Sequence, residues 1–163
     1  MDMPSWLPEM ISVDGEWERL LTGLYAIFER DFKQAKRNFQ GRPVWWDRRI
    51  LPGGKYEEGF WHLISKDDPG TADRLFDPRR AERLPWCGPT ITNSKDPVVT
   101  VWDYRESSGR VRTYVWLEPW DYVVILEKRQ QRRGLIAFLI TAYFVEGAST
   151  RRKLRRKLAE KLA

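Results

Sequence analysis

Residues 98–145 read VVTVWDYRESSGRVRTYVWLEPWDYVVILEKRQQRRGLIAFLITAYFV, and this stretch decides the fold class. Four runs rich in β-branched and aromatic residues, Val98 to Tyr104, Arg110 to Leu117, Tyr122 to Lys128 and Gly134 to Val145, predict strands. Short polar segments join them: Glu106-Ser-Ser-Gly109, Glu118-Pro-Trp120 and Arg129-Gln-Gln-Arg-Arg133. Gly109 stands where a hairpin often needs positive φ. The expectation is three hairpins in succession, a four-stranded antiparallel meander. Leu135 to Val145 is apolar enough to be its central strand, buried on both faces. Thr141 and Tyr143 interrupt that run two residues apart, so on a strand they share a face.

Upstream the period changes. Trp17, Leu20, Leu21, Leu24, Tyr25, Phe28 and Phe32 recur at three and four, predicting a helix from about Asp14 to Asn38. Gly41-Arg-Pro43 stops it, Val44 to Ile50 reads as a short strand, and Pro52-Gly-Gly54 as a turn. Asp77-Pro78 opens a short helix carrying Arg79, Arg80 and Arg83, which Pro85 is expected to end. Helices followed by a meander make an α+β architecture: N-terminal helices packed on a four-stranded antiparallel sheet, with a basic C-terminal helix. Residues 1–163 form one domain on this reading, with a flexible 1–13 and a capped helix over 149–163.

That last helix aligns Leu154, Leu158 and Leu162, while six of the seven residues from Arg151 to Lys157 are basic. It can track phosphates, lie on an acidic membrane, or dock its leucines with the charges solvated. Lys and Arg number 29 against 23 Asp and Glu, a formal charge of +6, which favours an anionic partner. One cysteine, Cys87, excludes an internal disulfide, is compatible with the cytoplasm, and is assigned to structure. One His and one Cys exclude a structural zinc site, and no other cofactor is implied. Met1 to Glu9 does not read as a signal peptide, and Leu135 to Val145 is about half a membrane span, so no membrane association is expected.

The only histidine lies in Lys55-Tyr-Glu-Glu-Gly-Phe-Trp-His62-Leu-Ile-Ser-Lys66. Phe60, His62 and Ile64 alternate with Trp61, Leu63 and Ser65, which suggests a strand with His62 on an apolar face. The plain alternative is a core histidine with one hydrogen-bond partner. Flanking Lys55 and Lys66 and the later arginines instead favour its neutral, base-competent form. Glu57 and Glu58 can orient it or can be turn residues. No phosphate loop, HExxH, paired CxxC or GxSxG occurs, which removes most NTPases, zincins and serine hydrolases. One histidine with cations and hydroxyl donors is enough for RNA cleavage, because the ribose 2′-OH is a built-in nucleophile.

The order Gly-Lys55-x-Glu-Glu-Gly-Phe-Trp-His62, Arg79-Arg80-x-Glu-Arg83-Leu-Pro-Trp86, Asp121-Tyr-Val-Val-Ile-Leu-Glu-Lys128, Leu139-Ile-Thr141-Ala-Tyr143 resembles the phage-associated branch of the barnase, EndoU, colicin and RelE-like nucleases. The resemblance implies a metal-independent endoribonuclease toxin over most of the chain. It implies His62 as general acid/base, Lys55, Arg79 and Arg83 at the phosphate, and Thr141 and Tyr143 orienting the scissile group. Arg80 is a substitute for Arg79. Trp61 and Trp86 are expected to stack bases, and Lys66, Arg151, Arg152 and Arg155 to bind RNA; tRNA, mRNA and ribosomal RNA are all open. A cognate antitoxin or immunity protein would silence such a toxin of a bacterial or phage conflict system. The alternative is a non-catalytic RNA-binding or interaction module.

Overall fold

A computed structural model describes residues 2–71 and 73–163. Its strands β5 (Thr100–Arg105), β6 (Val111–Leu117), β7 (Tyr122–Gln131) and β8 (Gly134–Phe144) pair antiparallel in chain order. The predicted sheet is too small, however. Strands β1 (Asn38–Phe39) and β2 (Arg42–Trp45) extend it beyond β8, giving the order β1-β2-β8-β7-β6-β5 with β2 parallel to β8. The fold is α+β with a six-stranded mixed sheet. Two added strands of two and four residues, one holding Pro43, carry too little periodicity to announce themselves.

Both faces of the meander are covered, which explains its near-continuous apolar runs. Val115, Leu117, Tyr122, Val124 and Leu126 face the main core, while Tyr114, Trp116, Val123 and Ile125 face a second, smaller cluster. On β8 the alternation reverses part-way. Ile125 pairs with Thr141 but Leu126 pairs with Leu139, so Ile140 is an extra residue. Ala137 and Leu139 face the main core before this bulge and Ala142 after it, while Tyr143 joins the second cluster. Nor is β8 flanked along its whole length. β2 pairs only with Ala137 and Phe138, so among the described residues Leu139 to Phe144 has no strand on that side. Thr141, Tyr143 and Phe144 are half-buried there, against the expectation of a doubly buried strand.

Helix α1 (Trp17–Phe28) buries Leu21, Leu24 and Phe28, as its spacing predicts. It then widens into a π-helical segment, Glu29–Gln34, where Ala35 N–H donates to Arg30 O, and stops at extended Ala35 rather than at Asn38. The histidine stretch is not a strand. It forms α2 (Glu58–Ile64), which buries Phe60, Leu63 and Ile64 at helical spacing. Phe60 meets Tyr25, Phe28 and Tyr56 there. A two-stranded ribbon follows, β3 (Ser65–Asp67) and β4 (Arg74–Phe76).

Helix α3 (Pro78–Glu82) starts as expected, with the Asp77 carboxylate accepting from the Arg79 and Arg80 N–H groups. Pro85 does not end the helical region, because it opens α4 (Leu84–Thr92), a helix buried on nearly every side. The described part of 1–13, expected to be flexible, is docked on the fold by several contacts. Trp6 Nε1 donates to Asp96, Trp86 Nε1 donates to Pro8 O, and Leu7 enters the core. Helix α5 (Gly147–Ala159) starts before the expected Ser149 and has no side-chain cap. Its Leu154 is buried in the second cluster with Leu158 packed beside it, while Leu162 lies beyond the helix and is exposed.

Helix α2 is seated by glycine. A Cβ on Gly59 would lie 2.8 Å from Trp46 Cβ and 3.0 Å from Asp47 O, while Gly59 N–H donates to that same carbonyl. Gly59→Ala is expected to cost about 1–3 kcal/mol in urea unfolding by overpacking this contact. An unchanged midpoint would show that the segment yields freely.

Candidate active site

The last turn of α2 points carbonyl groups away from the helix, and such groups need partners. Thr141 Oγ1 donates to His62 O at 2.9 Å across the unpaired edge of β8. Arg80 Nη1 donates to Ser65 O at 2.7 Å, to Thr141 Oγ1 at 3.2 Å and more weakly to His62 O at 3.4 Å. From β4, Arg74 donates to Ser65 O and Ser65 Oγ, each at 2.8 Å, and to Asp67 at 2.7 Å. Ser65 Oγ in turn donates to Trp61 O. Arg80 also lies over the Tyr143 ring, 5.3 Å from its centre. Three predicted site side chains, Arg80, Thr141 and Tyr143, therefore meet at one place with the His62 backbone.

The His62 imidazole is half-buried and makes no hydrogen bond among the described residues. Its pKa is lowered, first by burial and then by Arg74, with Asp47 and Asp67 opposing and Arg80 adding to the fall. At neutral pH it is a free base. Burial raises the Tyr143 pKa, with Arg80 opposing, so its hydroxyl keeps its proton. The Arg49 side chain holds the Asp47 carboxylate below the usual range. A neutral imidazole, two guanidinium groups and a phenol can accept a proton, stabilise negative charge and donate a proton.

Other predicted residues stand elsewhere. Lys55 is exposed before the first turn of α2, its ammonium 5.6 Å from the Tyr56 ring. Its ammonium makes no ion pair among the described residues, and it is not among the charges that act on His62. Arg79 is exposed on α3 with its guanidinium 5.6 Å from the Phe144 ring. Arg83 is only 7% exposed, donates to Arg79 O and stacks 4.0 Å from the Phe144 ring centre, so it is no phosphate contact. Trp86, 4% exposed, packs edge-on to Tyr122 and cannot stack a base. Trp61 is half-buried against Tyr56 and Phe60. Lys66 is exposed on β3.

The basic tail covers the face of the sheet opposite the main core. Arg151 pairs with Asp121 and Arg155 with Glu118, which leaves Arg152 exposed and without an ion pair among the described residues. Glu57 does not orient the histidine, because it takes the Tyr25 hydroxyl and Lys33. Cys87 is fully buried and its thiol is pushed up to about 12, which makes it inert. Arg74, Ser65, Asp47 and Asp67 were not anticipated. The Lys66-Asp-Asp-Pro-Gly70 turn is readable in sequence, and recognising its return strand would have led to Arg74.

No cluster of three or more His, Cys, Asp or Glu able to hold a metal occurs among the described residues. No helix among them is long and apolar enough to cross a membrane. Comparison with family models, characterised proteins and solved structures finds no match, so the site rests on its own geometry.

Because the folded-state pKa of His62 lies below its ordinary 6.5, the unfolded chain binds more protons between those two values. Stability should be complete above about pH 6.5 and fall as pH drops toward the folded value. The one imidazole signal in a proton NMR titration reads this directly, and a midpoint at or above 6.5 would contradict it. Thr141→Val should cost about 1–3 kcal/mol, since it leaves the His62 carbonyl only the weak Arg80 contact, and should shift that same signal.

Proposed function

We propose that this protein is a metal-independent endoribonuclease that cleaves RNA through the ribose 2′-OH. The observation that carries the reading is the half-buried His62 imidazole, kept neutral by burial and the charges of Arg74 and Arg80, on a backbone that Arg80 and Thr141 hold in place. His62 takes the proton of the 2′-OH and the 2′-oxygen attacks the adjacent phosphorus. The bond to the 5′-oxygen breaks, leaving a 2′,3′-cyclic phosphate and a 5′-hydroxyl. The Arg80 and Arg74 charges stabilise the dianionic transition state, and the Tyr143 hydroxyl is the donor available to the departing oxygen. Thr141 is a positioning residue, since its hydroxyl is used on the His62 carbonyl.

Cleavage of cellular RNA in the cytoplasm by such an enzyme fits a toxic effector of a conflict system. The charge of +6 suits an acidic antitoxin or immunity protein as its silencing partner. A second reading, a non-catalytic RNA-binding module, is favoured by one observation. Thr141 and both site arginines spend hydrogen bonds on protein atoms rather than on a cavity.

Total bacterial RNA incubated with EDTA separates the two. Wild-type protein should give discrete cuts ending in cyclic phosphate, and His62→Ala should lower the rate by about 100-fold or more while leaving the circular dichroism spectrum unchanged. Intact RNA that is nonetheless bound, with affinity falling steeply in salt, would assign the protein to the binding reading.

A further inference from the structure

A cavity of about 660 Å³ opens between the π-helical end of α1 and the chain leaving β2. This is within the roughly 300–1,000 Å³ range of small-ligand sites. Lys33, Lys36, Arg37 and Arg48 line it with Trp45 and Trp46, and Glu57 is the one carboxylate in the lining. Two of the cations are already neutralised. Lys33 pairs with Glu57 and Arg37 with Asp31. Lys36 and Arg48 are exposed and have no ion pair among the described residues. The Arg48 guanidinium carbon lies 4.2 Å from the Trp45 ring centre and 4.7 Å from that of Trp46, so a planar cation and the indoles share one wall. The π-helical turn carries Lys33 and leads into Lys36, and such turns recur at functional positions.

We infer that this cavity is a subsite for one nucleotide of single-stranded RNA. The base stacks on the wall made by Trp45 and Arg48, and Lys36 and Arg48 meet the backbone phosphate. A bare anion site would not need the indoles, and an apolar site would not need unpaired cations. The subsite adjoins the candidate active site through residues 45–48. Trp45, Trp46 and Arg48 line the cavity, while Asp47 acts on His62 and its carbonyl receives the Gly59 N–H of α2. The inference rests on the RNA reading above, and it adds that a nucleotide flanking the cut is held apart from the reacting phosphate.

The test uses full-length protein and a fluorescent, fully 2′-O-methylated tetranucleotide, which lacks the nucleophilic hydroxyl and stays intact whatever His62 does. Lys36→Glu with Arg48→Glu should weaken its binding by about tenfold or more. Lys95→Glu with Arg105→Glu, an equal charge change near the β5 edge, should weaken it by no more than about twofold. Trp45→Ala should match the first pair, and since Trp45 is part of β2 the two exposed cations decide the matter if that variant misfolds. Equal losses in the two charge pairs would overturn the subsite. Adenosine 5′-monophosphate binding as tightly as the tetranucleotide would assign the cavity to a free nucleotide and overturn the polymer assignment. Cavity-dependent binding by a protein that cuts no RNA would uphold the subsite and remove the nuclease reading.

Discussion

The fold and the candidate site both depend on how the C-terminal end of α2 is fastened to β8. A helix end leaves carbonyl groups without internal partners, and a strand with no neighbour leaves an open edge. The protein sets one deficit against the other. Because β2 stops after pairing with Phe138, the rest of β8 is free to receive α2, and Thr141 and Arg80 bridge the gap to the His62 and Ser65 carbonyls. Arg74 joins the same carbonyl from the β3–β4 ribbon, so three separate parts of the chain converge on one turn of helix. The imidazole is placed by its own backbone rather than by a hydrogen bond to the ring. Its basicity is consequently set by burial and by the field of the surrounding charges.

The bulge at Ile140 makes this fastening possible. Without it Thr141 would continue the alternation of Ala137 and Leu139 and point into the main core. One extra residue puts Thr141 and Tyr143 on the other register, where Arg80 reaches both. The cost is a strand half-exposed at its end, and α5 limits that cost by covering the second face of the sheet. Leu154 seals the cluster around Trp102, Trp116 and Val123, and Arg151 and Arg155 tie the helix to the β6–β7 connection through Asp121 and Glu118. The dense positive charge of α5 is thus partly a means of attachment. Elsewhere Glu127, nearly buried, is held ionised by Arg110, Arg112 and Arg129, another case of arginine used inside the fold.

The meander was legible because each of its strands is long, β-rich and bounded by turn chemistry, and Asp77-Pro78 was legible because a cap and a first-turn proline are local signals. The histidine stretch was misread for a definite reason. Over five residues, Phe60, His62 and Ile64 satisfy a period of two while Phe60, Leu63 and Ile64 satisfy the helical period. Only the packing of Phe60 on Tyr25, Phe28 and Tyr56 decides between them, and that information is non-local. The structure brings Arg80, Thr141, Tyr143 and the His62 backbone together, while Arg74 comes from a ribbon that the sequence shows only as a turn. Arg83 and Trp86 lie in the same motif and are buried because α4 continues where Pro85 had suggested a stop.

Charge in this protein is therefore a poor guide to contact surfaces until each cation has been assigned. The excess of Lys and Arg first divides into those that hold the fold, such as Arg80, Arg83 and the three around Glu127, and those that lie free on the surface. A half-buried arginine bonded to carbonyls still projects a positive field, so Arg74 and Arg80 act on His62 without being available to grip a phosphate fully. A free cation on an open surface has the opposite character, since it can reach a phosphate but is screened by salt. Lys36 and Arg48 combine reach with a concave, aromatic setting. Sites of that kind are where a basic protein gains selectivity for a nucleotide over any other anion, because stacking supplies the part of recognition that charge cannot.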